Sequence, residues 1–401
     1  MPQSYSIISF ATLFLASACI VLFCFIVDPY KLFPTIPGLS QQTSVDLFYK
    51  LRLHKPYAIE EVKPSILILG SSRAAALPPR AVQSIDGVAY NASLAGGTLQ
   101  EARLMAEHAH AISPLKLIVI GVDYAMFREG ASETMVLNEP HRYRSVDPGL
   151  RQHLQHRSQR IGDHWRSLFS VDAIMDSLRL SFGTGRSQRE YREDGTWDLS
   201  QNTLVPAYQR YARLTHLVFN AEIAHKSDRL VLDELLDLLD FTDAHGIKVI
   251  VLISPLQGLL MHSLELAGTW DQYLLWQRDL VESITARKTD SEIYGLEDNP
   301  LLVLEAIETP QRLFRDGVHY TLRAGTEILT CLSGPCNSSL QPTRLDGDTI
   351  NDYLEKVDAL RLQYKQENPQ DIAEAHRWLS PGTKKKDSQR TPTPHLLRKI
   401  H

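Results

Sequence analysis

The chain has 401 residues, of which 43% are hydrophobic and 22% are charged, and its formal net charge is −5. This balance is typical of a globular protein and excludes an intrinsically disordered one. The modest negative charge is not the basic footprint of a nucleic-acid binder, so no nucleic-acid partner is expected. The length allows one large domain or two small ones.

The first segment in chain order is apolar. The stretch SIISFATLFLASACIVLFCFIV, from Ser6 to Val27, contains no charged residue and is long enough to cross a bilayer as a helix. A cleaved signal peptide would have a shorter apolar core and a basic start, whereas MPQSY has no Lys or Arg. A buried soluble helix would show a polar stripe. We therefore predict a membrane anchor over residues 1–28 and keep both other readings as alternatives.

Two features bear on the side of the membrane, and they disagree. The basic residues near the span all lie after it and none precedes it: Lys31, Lys50, Arg52 and Lys55. Positive charge on that flank favours a cytoplasmic location for the body of the chain. Cys331 and Cys336 in CLSGPC would form a short disulfide loop in an oxidising compartment, or else remain two free thiols.

Short apolar runs alternate with helical patterns in the first half of the chain. Residues 29–64 contain five prolines and are predicted to be a linker. Runs at 65–69, 88–90 and 117–121 are typical of buried strands. The stretch TLQEARLMAEHAHA, 98–111, has helical periodicity, with a threonine and a glutamate at capping-box spacing at its start.

This order predicts an α/β domain over residues 65–340, with a mostly parallel sheet and helices on both faces. A polar insertion rich in His and Arg, about 128–206, is expected to form helices and loops. The pattern resumes with an amphipathic helix that ends at Gly246, where a C′ glycine belongs. The later predicted elements are a strand at 247–253, a helix at 271–285, C-terminal helices within 341–380 and a disordered tail at 381–401.

A candidate catalytic set is indicated by the positions of the polar residues. In ILILGSSR, Ser72 comes just after a strand, and ligands of open α/β sheets bind at the carboxyl ends of strands. A serine nucleophile needs a base, and the base needs an orienting acid. FRDGVHYT supplies His319 and Asp316, separated by two residues, which a tight turn can bring together.

Taken jointly, these motifs resemble the SGNH/GDSL hydrolases, a superfamily of esterases, thioesterases, lipases and acetyl-transferring relatives on a flavodoxin-like three-layer α/β/α fold. ILILGSSR resembles the first block, YNASLAGGT the second and DGVH the last, in the family's order. The resemblance implies Ser72 as nucleophile, His319 as base and Asp316 as its orienting acid. It also implies an oxyanion hole formed by the backbone N–H groups of Ser72 and Gly96.

The chain departs from the family pattern at three positions. The first block has Ser71 instead of Asp and Arg73 instead of Leu, which resembles a membrane-anchored branch that acts on cell-envelope polymers. The third block, LIVIGVDYAMF, has Asp123 where the family has an oxyanion-binding Asn. A carboxylate cannot donate a hydrogen bond to an oxyanion. We predict that Arg73 and Asp123 pair across neighbouring strand ends; the alternative is that both are solvated.

Other polar and aromatic residues are given lesser roles. Asn91 is expected to shape the second-block turn, with a substrate contact as the alternative. The histidines of the insertion are interpreted as surface residues rather than metal ligands, so no metal and no cofactor are expected: His153, His156 and His164. The arginines of the insertion are interpreted as a solvated helix face, with anionic lipid or glycan binding as the alternative. The aromatic residues there are assigned to core packing rather than to stacking on sugars: Trp165, Tyr191 and Trp197.

The sequence therefore predicts a serine esterase or O-acyl(acetyl)transferase that uses a Ser-His-Asp acyl-enzyme on a cell-envelope or exported polysaccharide. The expected location is the inner membrane, single-pass, with the body in the periplasm. The main alternative is a catalytically inactive protein of the same fold that binds glycan or a membrane acyltransferase partner. An unrelated doubly wound protein with chance motifs is a third interpretation.

Overall fold

The computed structural model describes residues 2–34, 50–82, 86–129, 139–146, 149–183, 190–198, 205–226, 229–287, 289–310 and 312–379, so the predicted tail at 381–401 lies outside them. The helices are α1 Pro2–Val27, α2 Leu51–Val62, α3 Leu99–Ile112, α4 Leu150–Phe169, α5 Val171–Ser181, α6 Ala207–Ala224, α7 Asp233–Ala244, α8 Gly258–Ala267, α9 Trp270–Thr285, α10 Pro300–Val303, α11 Leu322–Ser333, α12 Ile350–Glu367 and α13 Pro369–Leu379. The strands are β1 Ile66–Gly70, β2 Ala89–Asn91, β3 Leu117–Val122, β4 Glu190–Tyr191, β5 Trp197–Asp198, β6 Lys248–Ile253, β7 Ser291–Gly295 and β8 Thr343–Leu345.

The main sheet has six strands in the order β2-β1-β3-β6-β7-β8. The first five are parallel, and β8 pairs antiparallel with β7 at one edge. Counted in chain order, the parallel strands stand 2-1-3-4-5, the order of flavodoxin-like sheets. The predicted α/β class and mostly parallel sheet are therefore confirmed.

Both faces of the sheet are covered. Every residue of β1 and of β3 is buried, and successive side chains of a strand point to opposite faces. This explains why these strands read as continuous apolar runs rather than as alternating patterns. The centre of the sheet therefore lies between two layers.

Two predicted helix boundaries are confirmed. At the start of α3, Thr98 Oγ1 accepts the N–H of Glu101 at 3.2 Å, and a Glu101 carboxylate oxygen accepts the N–H of Thr98 at 3.2 Å. These two bonds are the capping box. After α7, Gly246 has φ +64°, the left-handed conformation that a C′ glycine adopts at little cost.

The prediction that residues 29–64 form a linker is wrong over 51–62, where α2 forms. Pro56 lies inside this helix, and a proline leaves the carbonyl four residues earlier without its helical partner. That carbonyl belongs to Arg52, and the guanidinium of Arg142 donates to it at 3.4 Å. Leu51 and Ile59 are buried, so the helix is held by packing as well as by this substitute donor.

The insertion contains the predicted helices, α4 and α5, together with an antiparallel two-stranded hairpin, β4–β5. Gly195 lies at the turn of this hairpin with φ +80°, and a Cβ there would be 2.1 Å from the carbonyl oxygen of Asn91. The N–H of Asn91 also donates to the carbonyl of Asp194 at 2.8 Å. The hairpin is thus docked on the end of β2.

The N-terminal helix is apolar and largely exposed. Residues Ile7–Val27 form a helical stretch of 21 residues that is long and apolar enough to cross a membrane. At the other end of the chain, Cys331 and Cys336 form a disulfide, with their Cα atoms 4.6 Å apart. The sequence allowed either a disulfide or two free thiols here, and the structure has the disulfide.

Gly70→Ala should strongly destabilise the fold. Gly70 has φ +134°, and a Cβ there would be 2.3 Å from the carbonyl oxygen of Gly121. Backbone strain and overlap together are expected to lower the free energy of unfolding by more than about 3 kcal/mol, measured by denaturation in detergent micelles. In the matched variant Gly162→Ala, within α4, the Cβ meets no atom within 4 Å, so we expect a gain of up to about 1 kcal/mol. Equal effects of the two variants would contradict this account.

Candidate active site

Three side chains from distant parts of the chain form a continuous hydrogen-bonded array. Ser72 Oγ lies 2.9 Å from His319 Nε2, across a separation of 247 residues. His319 Nδ1 lies 2.9 Å from Asp316 Oδ2 and 3.0 Å from Asp316 Oδ1. These distances are those of a nucleophile, a base and an orienting acid in contact.

The end of β1 positions Ser72. Gly70 is the last strand residue, Ser71 is extended, and Ser72 begins a one-turn 3₁₀ helix, residues 72–76. The N–H of a first helical residue has no partner within its own helix. Ser72 is therefore at the carboxyl edge of the sheet, where open α/β proteins bind ligands.

The D-G-V-H turn positions the other two residues. One Asp316 oxygen accepts the backbone N–H groups of His319 at 3.0 Å and Val318 at 3.4 Å. Gly317 has φ +91°, and a Cβ there would lie 2.2 Å from a methyl of Leu260. The turn therefore needs glycine for both its backbone conformation and its packing.

Electrostatics fix the roles of the two histidine nitrogens. Burial raises the pKa of Asp316, but the His319 charge and hydrogen bonds outweigh it, so the pKa of this carboxyl lies below its usual value. An ionised Asp316 can only accept, so His319 Nδ1 carries the proton. His319 Nε2 is then the acceptor that faces Ser72 Oγ.

Asp123 is held by two partners beside this array. Ser71 Oγ donates to Asp123 Oδ2 at 2.5 Å, and Arg73 Nε lies 3.8 Å from the same oxygen. Both side chains of the ion pair are mostly buried, at 15% and 6% exposure. The predicted pairing of Arg73 with Asp123 is confirmed, and the alternative of two solvated charges is wrong.

A second buried carboxylate lies near Arg73. Glu297 is fully buried and accepts hydrogen bonds from Tyr273 at 2.6 Å, Gln277 at 2.8 Å and the N–H of Leu256 at 2.9 Å. Burial raises the pKa of Glu297 to about 7, although these bonds and the Arg73 charge act in the opposite direction. Nothing in the sequence pattern marked this residue, because it comes after a strand without any recognisable motif.

The turn that contains Gly96 is fixed by charged residues. Arg52 donates to the carbonyls of Ala95 and Gly96, each at 3.2 Å, and forms a two-pronged ion pair with Glu101. Gly96 itself is exposed, with φ +58°. The turn packs over the end of β1, where the N–H of Leu94 donates to the carbonyl of Gly70 at 2.9 Å. Arg52 was missed in the sequence because it falls within the predicted linker.

Asn91 shapes the turn, as predicted, and its side chain is fully buried rather than available to a substrate. Its amide donates to the carbonyls of Ala74 and Leu77, each at 2.9 Å, and its oxygen accepts from Ser93. Ala74 belongs to the 3₁₀ helix that begins at Ser72. Asn91 thus positions the segment that carries Ser72.

The histidines and aromatic residues of the insertion are dispersed. The prediction of a surface position is confirmed for His153, which is exposed, and wrong for His156, which is buried with its Nδ1 3.0 Å from the carbonyl of His141. His164 is half-buried, and its Nδ1 lies 2.7 Å from the carbonyl of Arg160. Trp197 is buried and Tyr191 packs against the core, as predicted. The same prediction for Trp165 is wrong, because that side chain is 56% exposed.

A charged cleft of about 480 Å³ adjoins the Gly96 turn through Arg52, which lines it. Its walls also include Lys50, Arg142 and Arg166 with the carboxylates of Glu101 and Asp163. Its lining reaches Tyr30, just after α1. These charged side chains pair with one another or with neighbouring carboxylates, as in the ion pairs Arg52–Glu101 and Arg142–Asp163.

Comparison of this chain with family models, with curated proteins and with solved structures finds no match. The candidate site therefore stands on its own geometry.

The pH dependence of stability should report the buried carboxyl of Glu297. Its folded pKa of about 7 exceeds the usual value of 4.5, so between these values the folded state holds more protons and stability falls as pH rises. As the pH rises from about 5 to about 7, the free energy of unfolding of the wild type should fall by up to about 1.4 kcal/mol per pH unit more than that of Glu297→Gln. Denaturation of both proteins across this range is the measurement. Parallel pH profiles would show that Glu297 does not titrate this way.

Proposed function

We propose that this protein is a membrane-anchored serine esterase or O-acyltransferase of the SGNH type. Its substrate would be an acyl ester, such as an acetyl ester, on a cell-envelope or exported polysaccharide. The observation that carries the proposal is the array from Ser72 Oγ through His319 to Asp316, at 2.9 Å for each step. The array stands at the carboxyl edge of a parallel sheet, where a bound ester can reach it.

The proposed reaction begins with attack of Ser72 Oγ on the acyl carbonyl. His319 Nε2 takes the hydroxyl proton and then gives it to the departing sugar oxygen, which leaves an acyl-serine. Asp316 holds the imidazole in the required tautomer and stabilises the imidazolium. Water or a second sugar hydroxyl then attacks the acyl-serine and loses its proton to the same histidine nitrogen. The bond between the acyl carbon and Ser72 Oγ breaks, His319 returns the proton to that oxygen, and the free acid or the new ester leaves.

The tetrahedral oxyanion would be bound by the backbone N–H groups of Ser72 and Gly96. Preorganised donors of this kind are usually the largest electrostatic term in acyl transfer. Asp123 at the position of the family's Asn would repel an oxyanion if its charge were unpaired. Its contacts with Ser71 and Arg73 supply a hydrogen bond and a counter-charge, which makes catalysis with two donors feasible.

The proposed location is the outer side of an inner membrane. The apolar α1 supports anchoring, and the Cys331–Cys336 disulfide supports an oxidising compartment. The basic residues after the span favour the opposite side. We give the disulfide more weight, because a reducing cytosol would keep these cysteines as free thiols. Flanking charge only biases the topology. The polymer and acyl group come from the resemblance of the GSSR block alone.

The inactive alternative, in which the fold binds glycan or a membrane acyltransferase partner, was supported mainly by Asp123. The contacts of that carboxylate with Ser71 and Arg73 weaken this support, because a carboxylate with a paired charge is compatible with an active site. Fold alone does not determine function, so the nucleophile itself must be tested.

Fluorophosphonate labelling of the full chain in detergent micelles is that test. Wild type should be labelled and Ser72→Ala should not, because only a serine activated by a base attacks the phosphorus. Ser254→Ala is the matched control: Ser254 is a buried serine just beyond β6, at the same sheet edge, and its loss should leave labelling intact. Labelling retained in Ser72→Ala, or absent from folded wild type, would overturn the proposal.

Asp316→Asn should slow labelling by roughly 10³- to 10⁴-fold while Ser72 stays in place. The asparagine amide can present a donor to His319 Nδ1, so the base loses the tautomer in which Nε2 accepts from Ser72. The measurement is the second-order rate of labelling at neutral pH, with thermal melting as the check on folding. A decrease of less than about ten-fold would show that Asp316 does not orient the base.

A further inference from the structure

The two helices of the insertion are amphipathic in the reverse sense to helices of soluble proteins. On α4 the buried residues are His156, Asp163 and Ser167, and on α5 they include Asp176 and Ser177. A helix on the surface of a soluble protein turns its apolar side to the core and its polar side to water. Here the polar side faces the protein.

The outward side has a continuous apolar stripe. Along α4 it comprises residues at helical spacing, with exposures of 46–77%: Leu150, Leu154, Ile161, Trp165 and Phe169. The rings of Trp165 and Phe169 stack at 5.0 Å. Three more exposed apolar residues lie within α5 and just after it: Val171, Met175 and Phe182. A patch of this kind on a protein surface marks an interaction site.

Specific polar contacts hold the stripe outward. Asp163 forms a two-pronged ion pair with Arg142, at 2.6 and 2.8 Å, and accepts from Tyr57 at 3.0 Å. Asp176 accepts from Tyr30 at 3.0 Å. Rotation of either helix would break these bonds and leave buried charges unpaired, which is strongly destabilising.

The two helices that carry the stripe contact the apolar N-terminal helix. The end of α1 contacts both α4 and α5. The ring of Phe33 lies between Phe25 of α1, at 4.9 Å, and His164 of α4, at 5.0 Å. Tyr30, which binds Asp176, comes three residues after α1. The helical pair α4–α5 therefore lies at the level where the chain would leave a bilayer crossed by α1.

We infer that α4 and α5 lie in the interfacial layer of the membrane that α1 crosses, with the apolar stripe inserted among the upper acyl chains. This inference rests on the proposed anchoring. Interfacial helices combine apolar residues and Trp on one side with basic residues toward the headgroups. Two arginines of α4 are exposed and available to headgroups, Arg151 and Arg157. The other three arginines of the two helices form ion pairs within the protein: Arg160, Arg166 and Arg179. A protein partner or a second copy would need no contact of these helices with α1.

The test is depth-dependent quenching of Trp165 in the full chain reconstituted into phosphatidylcholine–phosphatidylglycerol nanodiscs. Phosphatidylcholine brominated near the top of its acyl chains quenches tryptophans that contact them. The fluorescence difference between wild type and Trp165→Phe isolates this side chain. We expect brominated lipid to reduce that difference at least about two-fold.

Charge substitutions supply the matched pair. Ile161→Asp lies on the stripe, whereas Leu217→Asp lies on α6, and the two aliphatic side chains are similarly exposed at 57% and 64%. Ile161→Asp should reduce the quenching of Trp165, and Leu217→Asp should not. Both proteins should melt like wild type, because neither position is in the core.

Two results would overturn the inference. Trp165 quenched by aqueous acrylamide but not by brominated lipid would place the stripe in water. Trp165 protected from both would mean that protein covers it, as a partner or a second copy. Flotation of the chain with vesicles tests the anchor, and fluorophosphonate labelling tests the catalytic proposal. These two assays show whether the anchoring proposal or the catalytic proposal fails, separately from the inference about α4 and α5.

Discussion

The close approach of β1 and β3 at the carboxyl edge of the sheet is the constraint on which the site depends. A Cβ at Gly70 would overlap the carbonyl of Gly121, and one at Gly121 would lie 3.0 Å from the Cβ of Ala74. Because both positions are glycine, the 3₁₀ helix of Ser72 can lie directly over the strand ends. Asn91, at the end of β2, donates hydrogen bonds to the carbonyls of Ala74 and Leu77 and so holds this helix in place. Ser72 is therefore positioned by close backbone packing and by the buried Asn91 side chain.

Buried charge surrounds this edge, and each of the charged groups named here has a partner. Asp123 is neutralised by Arg73 and bonded by Ser71, and Glu297 is satisfied by three donors. Lys55 is fully buried and donates to the carbonyls of Asn91 and Gly195 at 2.8 and 3.3 Å; burial lowers its pKa to about 7. Such networks add order rather than much net stability, since desolvation offsets most of the attraction.

The sheet and the capping box of α3 could be predicted from local sequence because each has a short-range pattern. The Ser72–His319–Asp316 array and the Arg73–Asp123 pair could be predicted because polar residues that follow parallel strands meet at one edge of the sheet. Contacts without such a rule could not be predicted. A helix forms over Pro56 in the predicted linker because its buried residues pack on the core and Arg142, far along the chain, donates to the freed carbonyl. Trp165 was misassigned because sequence periodicity gives the position of an apolar stripe but not the side of the helix that faces the protein. Arg52 had no motif at all.

The segment directly after α1, residues 28–34, limits how far the body can move from the membrane. Asp28 accepts the N–H groups of Leu32 and Phe33 at 3.0 and 2.9 Å, which closes a tight loop directly after the span. Tyr30 then binds α5. A flexible linker would let the body sample a volume that grows with linker length. Here Tyr30 and Phe33 instead tie the end of α1 to α5 and α4. A body of this size, about 50 Å across, would work within one diameter of the bilayer. A polysaccharide substrate, as proposed above, would then have to come within that distance of the membrane surface.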